Sequence, residues 1–177
     1  QTEKLDFLIQ SLVKLSRMES GIIAVHSEDT TIKQMLESIQ QQFNVKVREK
    51  NITLSLCDTD LHIRCDSKWT VEALGNIVDN AIKYTACGGN VQIKVEQYSF
   101  FVKIDIIDDG IGIEKEEIPK IFGRFYRSLS VADQPGVGIG LFLAREIIQA
   151  QKGYIKVTSK RGKGSTFSVF LPIAKKE

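Results

Sequence analysis

A strand that ends in two carboxylates and two glycines constrains this chain most. From Phe101 to Ile106, apolar residues alternate with charged ones, which predicts a β-strand with one buried face. The strand leads into Asp108-Asp109-Gly110-Ile111-Gly112-Ile113, whose glycines can adopt positive φ angles and allow close approach to the backbone. A carboxylate beside such a turn can accept a hydrogen bond from a bound molecule. Because Asp-Gly is a common turn dipeptide, the stretch alone is typical of an ordinary turn as well.

The composition restricts the class of protein. The 177 residues suit one domain with a short appendage, and an apolar fraction of 42% suffices for a packed core. A net charge of +2 offers no electrostatic argument for binding nucleic acid. Cys57, Cys65 and Cys87 fit no metal-binding spacing, which indicates free thiols in a reducing compartment. Because the chain starts at Gln1 within a helical pattern, without Met, we expect a piece of a longer protein.

The N-terminal segment carries a short heptad pattern. Leu5, Leu8, Leu12 and Leu15 recur at spacings of three, four and three. Such a seam is typical of a helix that pairs with a partner helix, and equally of an amphipathic helix folded onto its own domain. Ser20-Gly21 is a helix-stop signal.

The remaining pattern predicts alternating helices and strands. The first elements are a short strand at Ile22–Val25, a helix from about Thr30 to Val47, and a small hairpin of two short strands at Ile52–Leu56 and Leu61–Arg64. A helix from Ser67 to about Thr85, capped by Asp66, precedes an antiparallel hairpin of Val91–Val95 with the strand ending at Asp108. The last elements are a helix opened by Gly136–Leu141 and running to about Gln151, and a second hairpin of Tyr154–Lys160 with Thr166–Leu171.

Two segments could contact an anion. In the helix after Asp66, Asn76, Asn80 and Lys83 fall four and three residues apart and share one face, with Tyr84 at its margin. That face could be solvated, or it could offer amide oxygens to a cation and an ammonium to phosphate. The glycines of Gly136–Leu141 precede a helix N-terminus, where backbone N–H groups and the helix dipole favour anions. A dinucleotide fingerprint is disfavoured, because a loop rather than a strand precedes these glycines.

Together these motifs resemble the ATP-binding domain of sensor histidine kinases, whose fold is shared with DNA gyrase, Hsp90 and MutL. The resemblance covers residues 22–172. The matching stretches are Asn76–Tyr84 (the N box), Asp108–Ile113 (the first glycine box), Ile121–Arg127 (the F box), Gly136–Leu141 (the second glycine box) and Gly162–Phe167 (a small C-terminal glycine box).

Two departures and one further match accompany the resemblance. Asp109 stands where Asn is commoner, and Gly123 stands where the F box often has Glu. Leu15–Gly21 is similar to the end of the second helix of the kinase dimerisation stem, which favours the coiled-coil interpretation of the seam. We therefore expect a stem remnant at residues 1–21 and an ATP-binding catalytic domain at residues 22–177.

The resemblance implies a Bergerat-type two-layer α/β sandwich, with a mixed, mostly antiparallel sheet under three main helices. It also implies roles. Asp108 would accept from the adenine amino group, with Gly112 and Tyr84 near the base, and Asn80, supported by Asn76, would bind Mg²⁺. Lys83, Arg124 and Arg127 would be the catalytic cations at the phosphates, Gly138 and Gly140 would present amides, and residues 128–137 would form a lid. Gly110, Ile113, Phe122, Gly136, Ile139, Leu141, Ser165 and Thr166 would complete the nucleotide site.

The implied function is that of a protein-histidine kinase. It would transfer the γ-phosphate of ATP to a histidine on the dimerisation stem, for relay to a response regulator. His26 and His62 do not match the phosphoacceptor motif, a histidine followed by an acidic residue. We expect a homodimer for the full-length protein and a monomer for this chain, as a cytoplasmic domain of a membrane-anchored bacterial sensor. The alternative is a nucleotide-dependent binding module of the same fold, such as an anti-sigma-type protein or a degenerate kinase.

Overall fold

A computed structural model describes residues 2–19, 24–131, 133–134 and 136–173 of the chain. In chain order its elements are α1 (Thr2–Glu19), β1 (Glu28–Thr31), α2 (Ile32–Glu49), β2 (Thr53–Leu56), β3 (His62–Cys65), α3 (Ser67–Tyr84), β4 (Asn90–Gln97), β5 (Phe101–Asp108), a 3₁₀ turn (Leu129–Val131), α4 (Gly140–Ala150), β6 (Tyr154–Lys160) and β7 (Gly164–Pro172).

The main sheet has five strands in the order β2-β4-β5-β7-β6. β2 runs parallel to β4, and the other three neighbouring pairs are antiparallel. β1 and β3 form a separate antiparallel pair. The two predicted hairpins, β4–β5 and β6–β7, are therefore confirmed, as is a mixed and mostly antiparallel sheet.

The core lies between this sheet and helices α2, α3 and α4. Val102, Ile104 and Ile106, the alternate residues of β5, are fully buried. The buried side chains of the three helices belong to the same hydrophobic cluster. Removing such a surface from water is the main stabilising contribution to a domain of this size. The arrangement confirms the predicted two-layer α/β sandwich.

Asp66 caps α3, as the sequence predicts. Its Oδ1 accepts a hydrogen bond from the backbone N–H of Trp69 at 3.1 Å, which satisfies one of the helix's free N–H groups. Its Oδ2 accepts from the backbone N–H of His26 at 2.9 Å. The cap therefore also ties α3 to the segment before β1.

The small hairpin predicted from Ile52–Leu56 and Leu61–Arg64 is wrong. β2 pairs in parallel with β4, with Leu54 opposite Val91, whereas β3 pairs with β1. Alternation identifies a strand but not its partner. Burial decided the pairing here, because β3 buries Ile63 in the core while β2 extends the edge of the main sheet.

The predicted strand at Ile22–Val25 is only partly described. Ile22 and Ile23 lie outside the described residues, and Ala24 and Val25 adopt no regular structure. The first strand lies at Glu28–Thr31 instead. The predicted helix stop at Ser20-Gly21, and with it the boundary between the two expected domains, also falls outside the described residues.

Helix α1 leaves part of its apolar seam uncovered. Leu5 and Leu12 expose 58% and 39% of their surface. An ion pair between Lys14 and Glu72, at 2.7 Å, connects α1 to α3. The exposed leucines fit a helix that requires a partner better than one folded onto its own domain.

Cys57, Cys65 and Cys87 are free thiols, as predicted. Among the described residues, no helix combines the length and apolar character needed to span a membrane.

Candidate nucleotide-binding site

A cavity lies between α3, the adjoining ends of β5 and β7, and the segment that leads into α4. It brings together side chains from each of the sequence motifs. The lining residues are Asn76, Asp79, Asn80, Ala81, Lys83, Tyr84, Asp108, Ile111, Gly112, Ile113, Glu117, Ile121, Tyr126, Arg127, Ser128, Ser130, Val131, Gly136, Val137, Gly138, Ile139, Gly140, Leu141, Ser165 and Phe167.

Helix α3 provides the polar wall. Asn76, Asn80 and Lys83 all line the cavity, as their spacing on one helical face predicts. Within the described part of the chain, the buried Nδ2 of Asn76 has no hydrogen-bond partner, and the Asn80 side chain has none either. Buried polar groups are normally satisfied, so the unpaired Nδ2 of Asn76, beside the half-buried Asn80, indicates a face that can receive a polar ligand.

Lys83 is the cation most available to a ligand. Its Nζ lies 4.8 Å from the centre of the Tyr84 ring and forms no ion pair with any described residue. Burial and the neighbouring Arg127 guanidinium lower the pKa of Lys83, while Asp79 opposes the shift. Asp79 itself pairs with Lys46. An incoming phosphate would relieve the repulsion between the two cations.

Asp108 lines the cavity where β5 ends. Its Oδ1 accepts a hydrogen bond from the Gly110 amide at 2.9 Å, and only 8% of the residue is exposed. Burial raises the pKa of the Asp108 carboxyl, although the amides of Gly110 and Ser165 partly offset this. Apolar side chains, among them Ile113 and Phe167, line the same cavity as Asp108. A flat, partly apolar ring with a hydrogen-bond donor at its edge would fit this environment.

Two glycines of the motifs are required by the local geometry. Gly112 has φ +68°, and a Cβ there would lie 2.1 Å from the Lys160 carbonyl oxygen. Gly138 has φ +81°, and a Cβ there would lie 2.7 Å from the Tyr126 carbonyl oxygen. Any side chain at either position would displace backbone, so both turns depend on glycine.

The N-terminus of α4 supplies a site for an anion. The helix begins at Gly140, and no side chain caps it. Its first N–H groups therefore lack intrahelical acceptors, and Gly138, Ile139 and Gly140 all line the cavity. On the same side, a Cβ on Gly136 would lie 2.8 Å from Lys83 Nζ. The uncapped helix end and the lysine both line the cavity, and each suits a phosphate.

Arg127 links the cavity to the segment above it. Its Nη2 donates hydrogen bonds to the carbonyl oxygen of Val131, at 2.8 Å, and to that of Gln134. Arg127, Ser128, Ser130 and Val131 line the cavity. The guanidinium therefore holds the segment predicted to be a lid while remaining within reach of a ligand.

Four of the predicted site residues do not line the cavity. The Arg124 guanidinium lies 4.7 Å above the Phe142 ring, and Phe122 packs edge-to-face on Phe167 behind the cavity wall. The backbone N–H of Gly110 donates a hydrogen bond to Asp108, and Gly110 itself does not line the cavity. Thr166 follows Ser165 on β7 and so points to the other face of the sheet.

Several lining residues were not predicted. Asp79, Ile111, Glu117, Ile121, Tyr126 and Phe167 all contribute to the walls. Asp79 lies inside the helical motif, so its position among Asn76, Asn80 and Lys83 was a usable signal. Glu117 and Tyr126 are joined by a hydrogen bond of 3.2 Å within irregular backbone, where no periodicity predicts the direction of a side chain.

The donor set fits a magnesium ion only if phosphate is present. The described residues contain no group of three or more His, Cys, Asp or Glu side chains that could hold a metal by themselves. Mg²⁺ commonly binds through one or two protein oxygens together with phosphate oxygens and water. The amide of Asn80, which has no hydrogen-bond partner among the described residues, would be able to supply one such oxygen.

Comparison with known proteins gives a consistent result. The family model described as histidine kinase-, DNA gyrase B-, and HSP90-like ATPase matches residues 65–175. The chain is similar to the sensor histidine kinase WalK of Bacillus subtilis (strain 168), at 33% identity over 177 residues. That match covers 97% of this chain and 29% of WalK, so the chain spans less than a third of that relative.

Two solved structures show the same fold. The histidine kinase AdeS of Acinetobacter baumannii matches with a TM-score of 0.80 and 25% identity, covering 99% of this chain and 81% of that one. The histidine kinase ThkA in complex with the response regulator protein TrrA matches with a TM-score of 0.73 and 22% identity, covering 97% and 51%.

Proposed function

Because the chain belongs to the histidine kinase-, DNA gyrase B- and HSP90-like ATPase family, and is a catalytic ATP-binding domain of the histidine kinase type, we propose that it phosphorylates histidine. The substrate is the γ-phosphate of ATP, and the acceptor is a histidine on a dimerisation stem. The bond between the γ-phosphorus and the bridging oxygen of ADP breaks, and a bond to an imidazole nitrogen forms. ADP and the imidazole proton leave.

One observation carries this proposal. A single cavity is lined by a buried carboxylate, Asp108, by the uncapped N-terminus of α4 and by Lys83. The carboxylate suits the amino group of adenine, and the helix end with the lysine suits the phosphates. A chain that bound only phosphate would need no buried acceptor beside an apolar wall.

The polar and charged residues of the cavity would have distinct roles in phosphoryl transfer. In phosphoryl transfer, catalysis depends largely on positioning and on stabilising the charge that spreads over the phosphate oxygens. Lys83 and Arg127 line the cavity and are the cations available for this purpose. Asn80 would hold Mg²⁺ against the phosphates, and the bound ion would neutralise their charge. The Arg124 guanidinium lies over Phe142, and its approach to the phosphates stays a prediction.

Arg127 has a second role in this scheme. It donates to two carbonyl groups of the lid and can exchange these for phosphate oxygens, which are stronger acceptors. Binding of ATP would therefore alter the segment that the arginine now holds. We propose that the lid orders around the γ-phosphate and loosens after transfer.

The partners and setting follow from the same proposal. Helix α1 is the end of a dimerisation stem, whose exposed Leu5 and Leu12 pack against a partner helix. The phosphorylated histidine passes its phosphate to a response regulator, a partner supported by the ThkA complex. We propose a cytoplasmic location within a membrane-anchored bacterial sensor that is a homodimer.

A titration with a fluorescent ATP analogue, with and without Mg²⁺, tests the nucleotide site. We expect saturable binding that ATP displaces and that Mg²⁺ strengthens. Lys83→Ala should weaken binding, whereas Lys156→Ala should not, because Lys156 lies over the Tyr154 and Phe170 rings, away from the cavity. Absence of saturable binding, or equal effects of the two substitutions, would contradict the proposal.

A further inference from the structure

Three polar side chains lie side by side across the sheet. Asp108 of β5 is opposite Ser165 of β7, and Ser165 is opposite Ser159 of β6. Asp108 and Ser165 line the cavity and are buried, with 8% and 7% exposure. Ser159 is not among the lining residues. It lies directly behind Ser165, and the two hydroxyl oxygens are 2.8 Å apart.

The contacts of Ser159 determine which hydroxyl donates. Its Oγ accepts a hydrogen bond from the Ile113 amide at 2.8 Å and donates to the Gly164 carbonyl oxygen at 2.9 Å. A serine hydroxyl has one hydrogen and two lone pairs. Once the hydrogen points to Gly164, the contact with Ser165 can form only if Ser165 donates. In the opposite arrangement Ser159 donates to Ser165, and its contact with Gly164 has no hydrogen. Buried polar groups favour the arrangement that satisfies every contact.

The consequence concerns the side of Ser165 that faces the cavity. Its hydrogen is used on Ser159, and in the described part of the chain its Oγ has no further side-chain partner. Ser165 therefore offers the cavity lone pairs and no hydrogen. Beside it, the Asp108 carboxylate in its ionised form also only accepts. Ser165 and Asp108 thus present two neighbouring acceptors to the cavity.

We propose that Ser159 is a positioning residue for nucleotide specificity, which orients the Ser165 hydroxyl so that Ser165 and Asp108 together accept from the 6-amino group of a purine. This inference rests on the proposed binding of ATP. An amino group carries two hydrogens and suits two acceptors. A 6-oxo purine, such as that of ITP, presents an acceptor and meets acceptors only. Ser159 acts through Ser165, without touching the base.

The test compares the affinities of ATP and ITP by calorimetry in variants of the chain. Ser159→Ala frees the Ser165 hydrogen to point into the cavity, so the preference for ATP over ITP should fall about fivefold, the equivalent of one hydrogen bond. Ser159→Thr keeps a hydroxyl and should retain the preference. Thr158→Ala, one residue away on the exposed face of β6, is the matched control and should change nothing.

A double substitution separates positioning from a general structural effect. If Ser159 acts only through Ser165, then Ser159→Ala should have no further effect on the ATP-to-ITP ratio once Ser165 is alanine. An independent loss in the double variant would overturn the inference, as would an unchanged ratio in Ser159→Ala. If wild-type chain bound neither nucleotide, the proposed function would fail first.

A neutron structure of the deuterated wild-type chain tests the same point without any variant, in case Ser159→Ala does not fold. We expect deuterium on Ser165 Oγ directed at Ser159, and deuterium on Ser159 directed at the Gly164 carbonyl. Deuterium on Ser165 that points into the cavity would overturn the inference.

Discussion

Asp108→Asn should reverse the preference of the cavity for ATP over ITP while preserving the fold. The Gly110 amide donates to Oδ1 of Asp108 at 2.9 Å, so an asparagine would keep its carbonyl oxygen on that N–H. Its NH₂ group would then replace the second carboxylate oxygen. The adenine amino group would then face another donor, whereas the 6-oxo oxygen of a purine such as that of ITP would gain a hydrogen-bond donor.

The size of the effect follows from burial. Asp108 is 8% exposed, so water cannot replace the lost hydrogen bond. A buried donor left unpaired costs about 1–3 kcal/mol. ATP affinity should therefore fall roughly 5- to 150-fold, and ITP affinity should rise.

Asp108→Asn should stabilise the fold although it weakens ATP binding. Burial raises the pKa of Asp108 above its ordinary value of 3.8. Ionising a group whose folded-state pKa is raised destabilises the fold, so the cost appears as the pH rises above 3.8 and through the folded-state pKa. Asparagine carries no such cost. The melting temperature of Asp108→Asn, relative to wild type, should therefore increase between pH 4 and pH 7.

Calorimetry with ATP and ITP, together with thermal melts over this pH range, measures both effects. Asp105→Asn is the matched control, because Asp105 lies on the same strand but pairs with Lys103 at 3.1 Å on the other face. Equal weakening of ATP and ITP, or an unchanged ATP affinity, would refute the assignment of Asp108 to the amino group.

Three further predictions concern Asn80 on the cavity wall, the proposed lid and the Asp66 helix cap. Asn80→Ala should weaken binding of Mg·ATP more than binding of ATP in EDTA, and equal losses by calorimetry would show that Asn80 is not a magnesium ligand. Hydrogen exchange in Ser128–Val131 should slow more with a γ-phosphate analogue than with ADP, and identical exchange in all states would argue against a lid. Asp66→Ala should lower the free energy of unfolding by about 1–2 kcal/mol, since Trp69 and His26 lose their acceptor. An unchanged denaturation midpoint would contradict that role.

The parts of the fold that could be predicted are those in which local pattern and tertiary structure agree. Alternation in Phe101–Asp108 matches a strand that is buried on one face, so its hairpin with β4 was predictable. The spacing of Asn76, Asn80 and Lys83 places them on one face of any helix, and the structure brings all three to the cavity. In both cases the backbone period alone determines the direction of the side chains.

The remaining features depend on contacts between segments distant in the chain. β2 and β3 have strand patterns, but their partners were decided by the core and by the sheet edge. Arg124 and Phe122 lie in irregular backbone, where no periodicity predicts that Arg124 contacts Phe142 and Phe122 contacts Phe167. Ser159 could not be identified from the sequence, because its role depends on the register of β6 against β7.

Phosphoryl transfer to a histidine supplied in trans tests the central claim most directly. The chain would be incubated with Mg²⁺, γ-labelled ATP and a separately produced dimerisation stem carrying an acceptor histidine, with Lys83→Ala as the inactive control. We predict label on the stem histidine that is acid-labile and base-stable, and none on His26 or His62. Saturable ATP binding with no labelled stem would contradict the kinase proposal and favour a nucleotide-dependent binding module instead.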